Sequence, residues 1–448
     1  MRRSVSGSIG MGARIGVGLL GLGTVGGGVA SILLSPQERH PLVADLELIR
    51  VAVRDLERPR PVDLSPEQLT TDPQTVVEDP RVDVVVEVIG GIEPARTLIL
   101  AAIQAGKSVV TANKAVIARH GTEIAQAAAA AGVYVLIEAA VGGGIPIIEP
   151  LKQSLGGNRV NRVSGIINGT TNYILTRMAD EGAAYADVLA EAQRLGYAEA
   201  DPAADVDGLD AADKIAILST LAFGGGIDRQ SIPTEGISRL QGEDVDYARQ
   251  LGYGVKLLAV AERMATSEPT AEALPLSLRV QPTLVPSHHP LAGVNGVNNA
   301  ILVEGDPIGQ VMFYGPGAGA GPTASAVVAD ILNIAGIRQA SGADGRLDPL
   351  LAAGSWRTCS LVDPGRIRQR HYVRFNTQDA PGVIGRIGGC FGDRDISIQS
   401  IVQFNASSAG AEIVVITHEV DQRSMDEALE AIRALPEVSG LAAHLGCL

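Results

Sequence analysis

Residues 196–218 read GYAEADPAADVDGLDAADKIAIL, with carboxylates crowding the first half and one lysine, Lys214, entering the apolar run that ends it. Asp210 and Lys214 are four residues apart, so on a helix they share a face within salt-bridge reach. Ile217, Leu218 and Leu221 continue that face. A solvated face would be less apolar, so the pattern points to a partly buried ammonium, held by Asp210 and aimed into a cleft. Burial lowers an ammonium's pKa, while the neighbouring carboxylate raises it and fixes the side chain. A lysine so placed can deliver a proton near neutral pH. An ordinary helical ion pair has the same spacing, and spacing by itself does not separate the two. A second lysine, Lys114, ends the run VVTANK. At the carboxyl end of a parallel strand it would face a ligand crevice; the plain alternative is a loop lysine in water.

Such groups need a scaffold, and residues 14–34, RIGVGLLGLGTVGGGVASILL, supply its first part. A β-type apolar run leads into G-x-G-x-x-G at Gly21, Gly23 and Gly26, and residues 25–34 can form a helix. The first glycine permits a tight turn, the second lets backbone approach a pyrophosphate, and the third lets helix pack on strand. Free N–H groups at the helix start then bind phosphate. Further β-rich runs at 46–53, 82–91, 107–113 and 133–141 alternate with alanine-rich helical stretches. Near-continuous β-branched runs separated by helices predict a parallel, doubly wound, Rossmann-type sheet. The second run ends Val53-Arg54-Asp55. A guanidinium there suits a ribose 2′-phosphate and favours NADP, whereas Asp55 leaves NAD use open.

The chain has 448 residues, 46% of them hydrophobic and 3% aromatic, which suits α/β layers better than an all-β sandwich. A formal charge of −14 without a long basic run argues against nucleic acid and anionic membranes as partners. Cys359, Cys390 and Cys447 are scattered, as expected of thiols in a reducing cytosol. The first residues, MRRSVSGSIG, resemble an export signal, but the run that follows is glycine-rich and leads straight into the dinucleotide motif. The expected location is therefore cytoplasmic, with no membrane association. From residue 143 the pattern changes to a mixed α+β segment: a strand, the turn Asn168-Gly169-Thr170, a helix, the acidic stretch, and a β-rich region over 274–313. His288 and His289 lie in a proline-flanked loop, and no catalytic or metal role is expected of them.

Residues 341–370 read as a linker, and residues 371–448 follow the order βαββαβ. Met425, Leu429, Ile432 and Leu435 share one helical face, so a small sheet with two helices on one side is expected.

GLGTVG, VVTANK, EAAVGGGIPII, GIINGTTNYIL, GYAEADPAADVDGLDAADK and GPGAGAGPTASAVVADI together resemble the homoserine dehydrogenases, in family order over residues 14–340. The resemblance implies two domains before the linker and tail: a nucleotide-binding domain over 14–142 completed by 315–340, and a catalytic and dimerisation domain over 143–314. It implies reversible hydride transfer between NAD(P)H and L-aspartate 4-semialdehyde, giving L-homoserine. Lys214 then matches the proton donor, Lys114 the second active-site lysine, and Glu199 the carboxylate for the substrate's α-amino group; Asp205 and Asp210 line the same pocket. Thr24, Val25, Arg54, Lys107 and Gly319 match cofactor contacts, beside Gly21, Gly23 and Gly26. Glu138, Val141, Gly143 and Ile145 match a site for a monovalent cation, typically sodium, with mostly carbonyl ligands. The tail resembles an ACT domain, in which Asp379, Pro381 and Gly382 shape the effector turn. L-threonine is the implied effector, against the alternative of a module that only dimerises the protein. A homodimer or homotetramer is the implied assembly. Aspartate kinase activity is not expected, since only about a dozen residues precede the nucleotide fold. Two other readings stand beside this one: an oxidoreductase for a different amino-acid aldehyde, and a non-catalytic amino-acid sensor on a dehydrogenase scaffold. The combined Glu199, Asp210 and Lys214 argue against the first, and the intact lysines against the second.

Overall fold

The computed structural model describes residues 14–265, 273–341, 347–352, 354–407 and 410–448. The arginine-bearing start, residues 1–13, and parts of the expected linker lie outside the described residues. The chain divides into two compact units, residues 1–157 with 318–355, and residues 158–317 with 356–448.

Among the described residues of the first unit, six parallel strands stand in the order Leu69–Thr70, Leu46–Ala52, Ile15–Leu20, Val84–Glu87, Ser108–Thr111, Val135–Leu136. Chain order reverses between Ile15–Leu20 and Val84–Glu87, which opens a crevice outside their carboxyl ends. The strand expected over 133–141 is only two residues long. The Glu138 carboxylate turns back to accept the N–H groups of Ile147, Ile148 and Glu149, and Gly142 and Gly143 take φ of 76° and 57°. Both bend the chain off the sheet into a 3-10 turn, Glu138–Ala140. The long helix Ala320–Ser341 buries Ala324, Val327, Ile331, Ile334 and Ala335 against the sheet and the helix Thr24–Leu34. By length and composition it could cross a membrane, yet half of its apolar stretch is already covered by this unit's core.

The second unit is built on one large mixed sheet. Its main path runs Gly309–Pro316, Asn298–Asp306, Arg159–Ile166, Tyr253–Arg263, Leu274–Pro286, Val438–Cys447, Arg368–Thr377, Gly410–Thr417, Ile398–Ser407. Helices Gly169–Glu181, Leu209–Phe223 and Gly242–Gln250 pack on Tyr253–Arg263. The last four strands, with helices Val383–Gly392 and Gln422–Arg433, form the βαββαβ module around Phe375, Ile387, Phe391, Met425, Leu429 and Ile432. Its closing strand pairs in parallel with Leu274–Pro286 through Gly446–Thr283 and Cys447–Leu284. The C-terminal module therefore continues the central sheet.

Candidate active site

In the second unit the helix Leu209–Phe223 starts from Gly208, whose φ of 80° suits glycine. This helix buries Asp210, Asp213 and Lys214. The Lys214 ammonium lies 2.7 Å from Asp210 Oδ2 and donates to the Ile167 carbonyl at 2.7 Å. Its third N–H has no partner among the described residues. Asn168 caps the helix Gly169–Glu181 by accepting from the Thr171 N–H at 2.9 Å. Its Nδ2 donates to Asp205 Oδ1 at 2.7 Å and to Asp210 Oδ2 at 2.9 Å. One amide thus ties both carboxylates to the lysine. Burial pushes the Asp205 carboxyl up, the Asn168 hydrogen bond opposes this, and the Asp210 charge adds to it. Asp213 belongs elsewhere, paired with Arg229 at 2.7 Å.

Glu199 sits in an exposed loop joined to the same helix end, where Thr170 Oγ1 donates to the Tyr197 carbonyl at 2.7 Å. Its carboxylate touches neither Asp210 nor Lys214 and stands open to solvent. Asp205, Asp210 and Lys214 are therefore brought together, and Glu199 is not bonded to them.

In the first unit the glycine turn follows the strand Ile15–Leu20. Gly21 has φ of 106°, and a Cβ on Gly26 would stand 2.1 Å from the Gly21 carbonyl oxygen, so turn and helix pack without room for a side chain. A Cβ on Gly23 would meet nothing within 4 Å. Gly23 is the N-cap of the helix Thr24–Leu34, which has no side-chain cap and no acid in its first turn. Thr24 and Val25 open that helix, so its first N–H groups are available to an anion. Gly319, with φ of 122°, precedes the helix Ala320–Ser341, and a Cβ on Gly28 would stand 2.7 Å from the Ala320 carbonyl oxygen. Arg54 is exposed two residues beyond the strand Leu46–Ala52, while Asp55 accepts the Glu57 N–H at 2.9 Å.

Lys107 departs from expectation. It precedes the amino end of Ser108–Thr111, at the opposite edge of the parallel sheet from the glycine turn. Its buried ammonium donates to the carbonyls of Asp79 and Val82. It closes the bottom of the sheet and does not reach the nucleotide crevice.

Lys114 is half-buried at the first position of the helix Lys114–Ala131. Asn113 caps that helix through Val116 N–H and donates to the Gly91 carbonyl at 2.8 Å. The fully buried Glu87 accepts from Thr111 Oγ1 at 2.6 Å and from Ile89 N–H at 2.9 Å. This carboxylate, which fixes the strand ends beneath Lys114, was not anticipated; the lone acid in VVVEVIGG was its only signal.

Glu138, Val141, Gly143 and Ile145 fall in one buried turn, closed by Ile145 N–H on the Gly142 carbonyl at 2.9 Å. Carboxylate oxygens of Glu138, Glu149 and Asp330 lie within 4.8 Å of one another. Asp330 Oδ1 is buried and has no hydrogen-bond partner among the described residues, while Oδ2 accepts the Glu138 N–H at 2.8 Å. Burial, reinforced by the Glu138 charge, pushes the Asp330 carboxyl well up. An orphaned oxygen among gathered carboxylates fits a hard cation.

In the C-terminal module Asp379, Pro381 and Gly382 form an exposed turn, with Asp379 Oδ1 accepting from Gln403 at 3.0 Å. Gly382, at φ of 86°, caps the helix Val383–Gly392 and offers no side chain to its N–H groups.

The chain is similar to known proteins over nearly its whole length. Residues 146–332 match the family model "Homoserine dehydrogenase", residues 21–138 "Homoserine dehydrogenase, NAD binding domain", and residues 371–437 "ACT domain". The homoserine dehydrogenase of Synechocystis sp. is 56% identical over 94% of this chain and 96% of its own length. That of Corynebacterium glutamicum is 42% identical over 96% and 95%. The crystal structure of a homoserine dehydrogenase from Thiobacillus denitrificans superposes with a TM-score of 0.86 at 43% identity, covering 97% of this chain and 98% of that one. A hyperthermophilic archaeal homoserine dehydrogenase in complex with NADPH superposes at 0.59 with 28% identity, over 71% and 97%. With a nucleotide fold, a buried acid–amide–lysine cluster and a C-terminal ACT module in one continuous match, the chain belongs to the homoserine dehydrogenase family.

Proposed function

We propose that the cluster of Lys214, Asp210, Asp205 and Asn168 handles the proton in the reversible, nicotinamide-dependent reduction of L-aspartate 4-semialdehyde to L-homoserine. The observation that carries this reading is the Lys214 ammonium, fixed by Asp210 and the Ile167 carbonyl with one N–H left over. The nicotinamide supplies the hydride when bound. As negative charge grows on the carbonyl oxygen, the uncommitted N–H of Lys214 stabilises it and then delivers a proton. Asp210 holds that ammonium in place, and Asn168 holds Asp210. Lys114 contributes a second positive charge. The exposed Glu199 carboxylate, with no hydrogen-bond partner among the described residues, takes the substrate's ammonium and orients the aldehyde.

The residues of the glycine turn fit a dinucleotide: Gly23, Thr24 and Val25 cradle its pyrophosphate, and Gly319 borders the same helix. NADP is the favoured form, because Arg54 is exposed just past the second strand and has no partner among the described residues, while Asp55 is engaged in its own turn. We assign residues 14–142 with 315–340 to the nucleotide domain, 143–314 to the catalytic and dimerisation domain, 341–370 to a linker and 371–448 to the ACT domain. We further infer a sodium ion at Glu138, Val141, Gly143 and Ile145, supported by the orphaned Asp330 oxygen. The Asp379–Gly382 turn is read as an L-threonine site, the assembly as a homodimer or homotetramer, and the location as cytoplasmic.

Lys214→Ala tests the central claim. The expected outcome is a fall in kcat of about 10²–10⁴-fold with a much smaller change in the KM for homoserine. Wild-type kcat with only KM raised would remove Lys214 from proton transfer.

A further inference from the structure

A polar cavity outside the lysine cluster lies between the central sheet and the C-terminal module. Its volume is about 240 Å³. That is below the roughly 300–1,000 Å³ of pockets for drug-sized ligands, which limits an occupant to a small metabolite. One wall is the strand Leu274–Pro286, carrying Arg279 and Gln281; the other comes from Gln369 and His444 of the ACT module. Thr234 and Glu235 form the mouth, with Glu235 exposed.

The lining is unusually rich in uncommitted polar atoms for so small a space. Arg279 is only 6% exposed. It donates Nη1 to Glu262 at 2.8 Å and to Ser277 at 3.2 Å, and no partner takes Nε or Nη2 among the described residues. Gln281 Nε2 donates to Gln369 Oε1 at 2.7 Å across the seam, which leaves Gln281 Oε1 and Gln369 Nε2 unengaged among the described residues. The Glu262 carboxylate balances the guanidinium's charge but engages only Nη1, so the Nε–Nη2 edge of the fork can still meet a second carboxylate. The acid at the mouth would meet a cation on the same ligand.

We propose that this cavity binds a free α-amino acid, its carboxylate on Arg279 and its ammonium toward Glu235. The site differs from the Asp379 turn. Gln369 and Thr377 stand at opposite ends of the strand Arg368–Thr377, roughly 27 Å apart at the usual rise. The cavity also has a physical route to the lysine cluster. Glu235 N–H bonds the Val280 carbonyl at 2.8 Å, and Val280 N–H bonds the Pro233 carbonyl at 2.9 Å, so the mouth moves with the strand. A Cβ on Gly208 would stand 3.2 Å from both Thr234 and Val280 side chains. Gly208 caps the helix that carries Asp210 and Lys214. An occupant that shifts Thr234 therefore presses on the start of that helix.

Calorimetric titration of the full-length protein with each proteinogenic L-amino acid, and with acetate as a carboxylate lacking the ammonium, tests the proposal without relying on turnover. At least one amino acid is expected to bind, and acetate much more weakly. Glu235→Gln at the exposed mouth and Arg279→Met in the wall should each weaken binding at least about tenfold. Asp379→Asn should leave this binding unchanged. Glu235→Gln keeps the test valid should Arg279→Met fail to fold. Absence of binding by every amino acid would overturn the proposal. So would acetate binding as tightly as the best of them, or binding lost in D379N but intact in E235Q.

Discussion

At the scale of single residues, the part of the site within one helix was legible and the part between segments was not. Asp210 and Lys214 are four apart, and helical geometry alone pairs them, as the 2.7 Å contact reflects. Asn168 is remote in sequence from both carboxylates it binds, and only the fold brings its Nδ2 within 3 Å of positions 205 and 210. Lys107 failed for a related reason: a lysine beside a strand reads the same at either end, and this one lies at the wrong end. Asn168 gives a sharp prediction. Asn168→Ala removes a helix cap and leaves two carboxylates without their shared donor. A stability loss of about 1 kcal/mol is expected from the cap. A fall in kcat of about tenfold or more should follow as Asp210 loses its hold on the lysine. Asn168→Asp keeps a cap oxygen but adds a third carboxylate, so it should keep more stability than Asn168→Ala while losing at least as much kcat. Denaturant melts and steady-state rates on the two variants separate cap from site. Equal rates in wild type and N168D would show that the amide does not position the acid.

At the scale of elements, the glycine turn was legible because each glycine answers a steric demand written in the motif. The strand expected over 133–141 was misread because its apolar run hid Glu138, whose side chain bonds three N–H groups from positions 147–149. Periodicity carries no trace of that long-range cap. The two roles within the turn predict different failures. Gly26→Ala would drive a Cβ to 2.1 Å from the Gly21 carbonyl oxygen, a backbone atom that cannot swing aside. Strand and helix must separate, so a loss of about 1–3 kcal/mol of stability is expected, with cofactor binding lost as well. Gly23→Ala meets open space, so the apo protein should melt within about 0.5 kcal/mol of wild type. The new methyl would occupy the pyrophosphate's approach, so the Kd for NADPH should rise at least about tenfold. Thermal melts without cofactor, set beside NADPH titrations, read both. A Gly23→Ala protein with unchanged NADPH affinity would place the pyrophosphate elsewhere.

At the scale of the molecule, the ACT module and the central sheet form one structure. Residues separated by more than 150 positions pair at Gly446–Thr283 and Cys447–Leu284, and Leu448 N–H bonds the Leu284 carbonyl at 2.9 Å. No local pattern announces a two-residue parallel pairing, so the module read from sequence as an appended tail. Arg374 reinforces the join. It is buried with Asp244 at 2.8 Å and with Glu412, linking the helix Gly242–Gln250 to the module's own strands. The same seam holds a histidine pair, His371 buried and His444 half-buried, with His444 Nε2 and His371 Nδ1 2.9 Å apart. Burial pushes both imidazoles down from 6.5; at His371 the His444 and Arg279 charges add to this against a weaker pull from Asp421, while at His444 Asp426 opposes it and Arg433 adds a smaller push down. The folded state thus keeps both rings neutral where the unfolded chain takes up protons. Between the folded values and 6.5 the unfolded state binds more protons, so stability rises with pH there and is lost as pH falls below about 6.5. Each histidine contributes up to about 1.4 kcal/mol per pH unit to that slope. Carboxylates that burial pushes up, Asp330 and Asp205 among them, act with the opposite sign, so the test compares the slopes of two proteins that share them. His444→Gln removes one titrating ring and keeps a polar group against His371. Its urea unfolding free energy, followed from about pH 7 down to about pH 5, should fall less steeply than the wild type's by up to one proton's slope. An unchanged slope would mean that the pair is already hydrated or protonated in the folded protein, and that the seam between module and sheet is open to water.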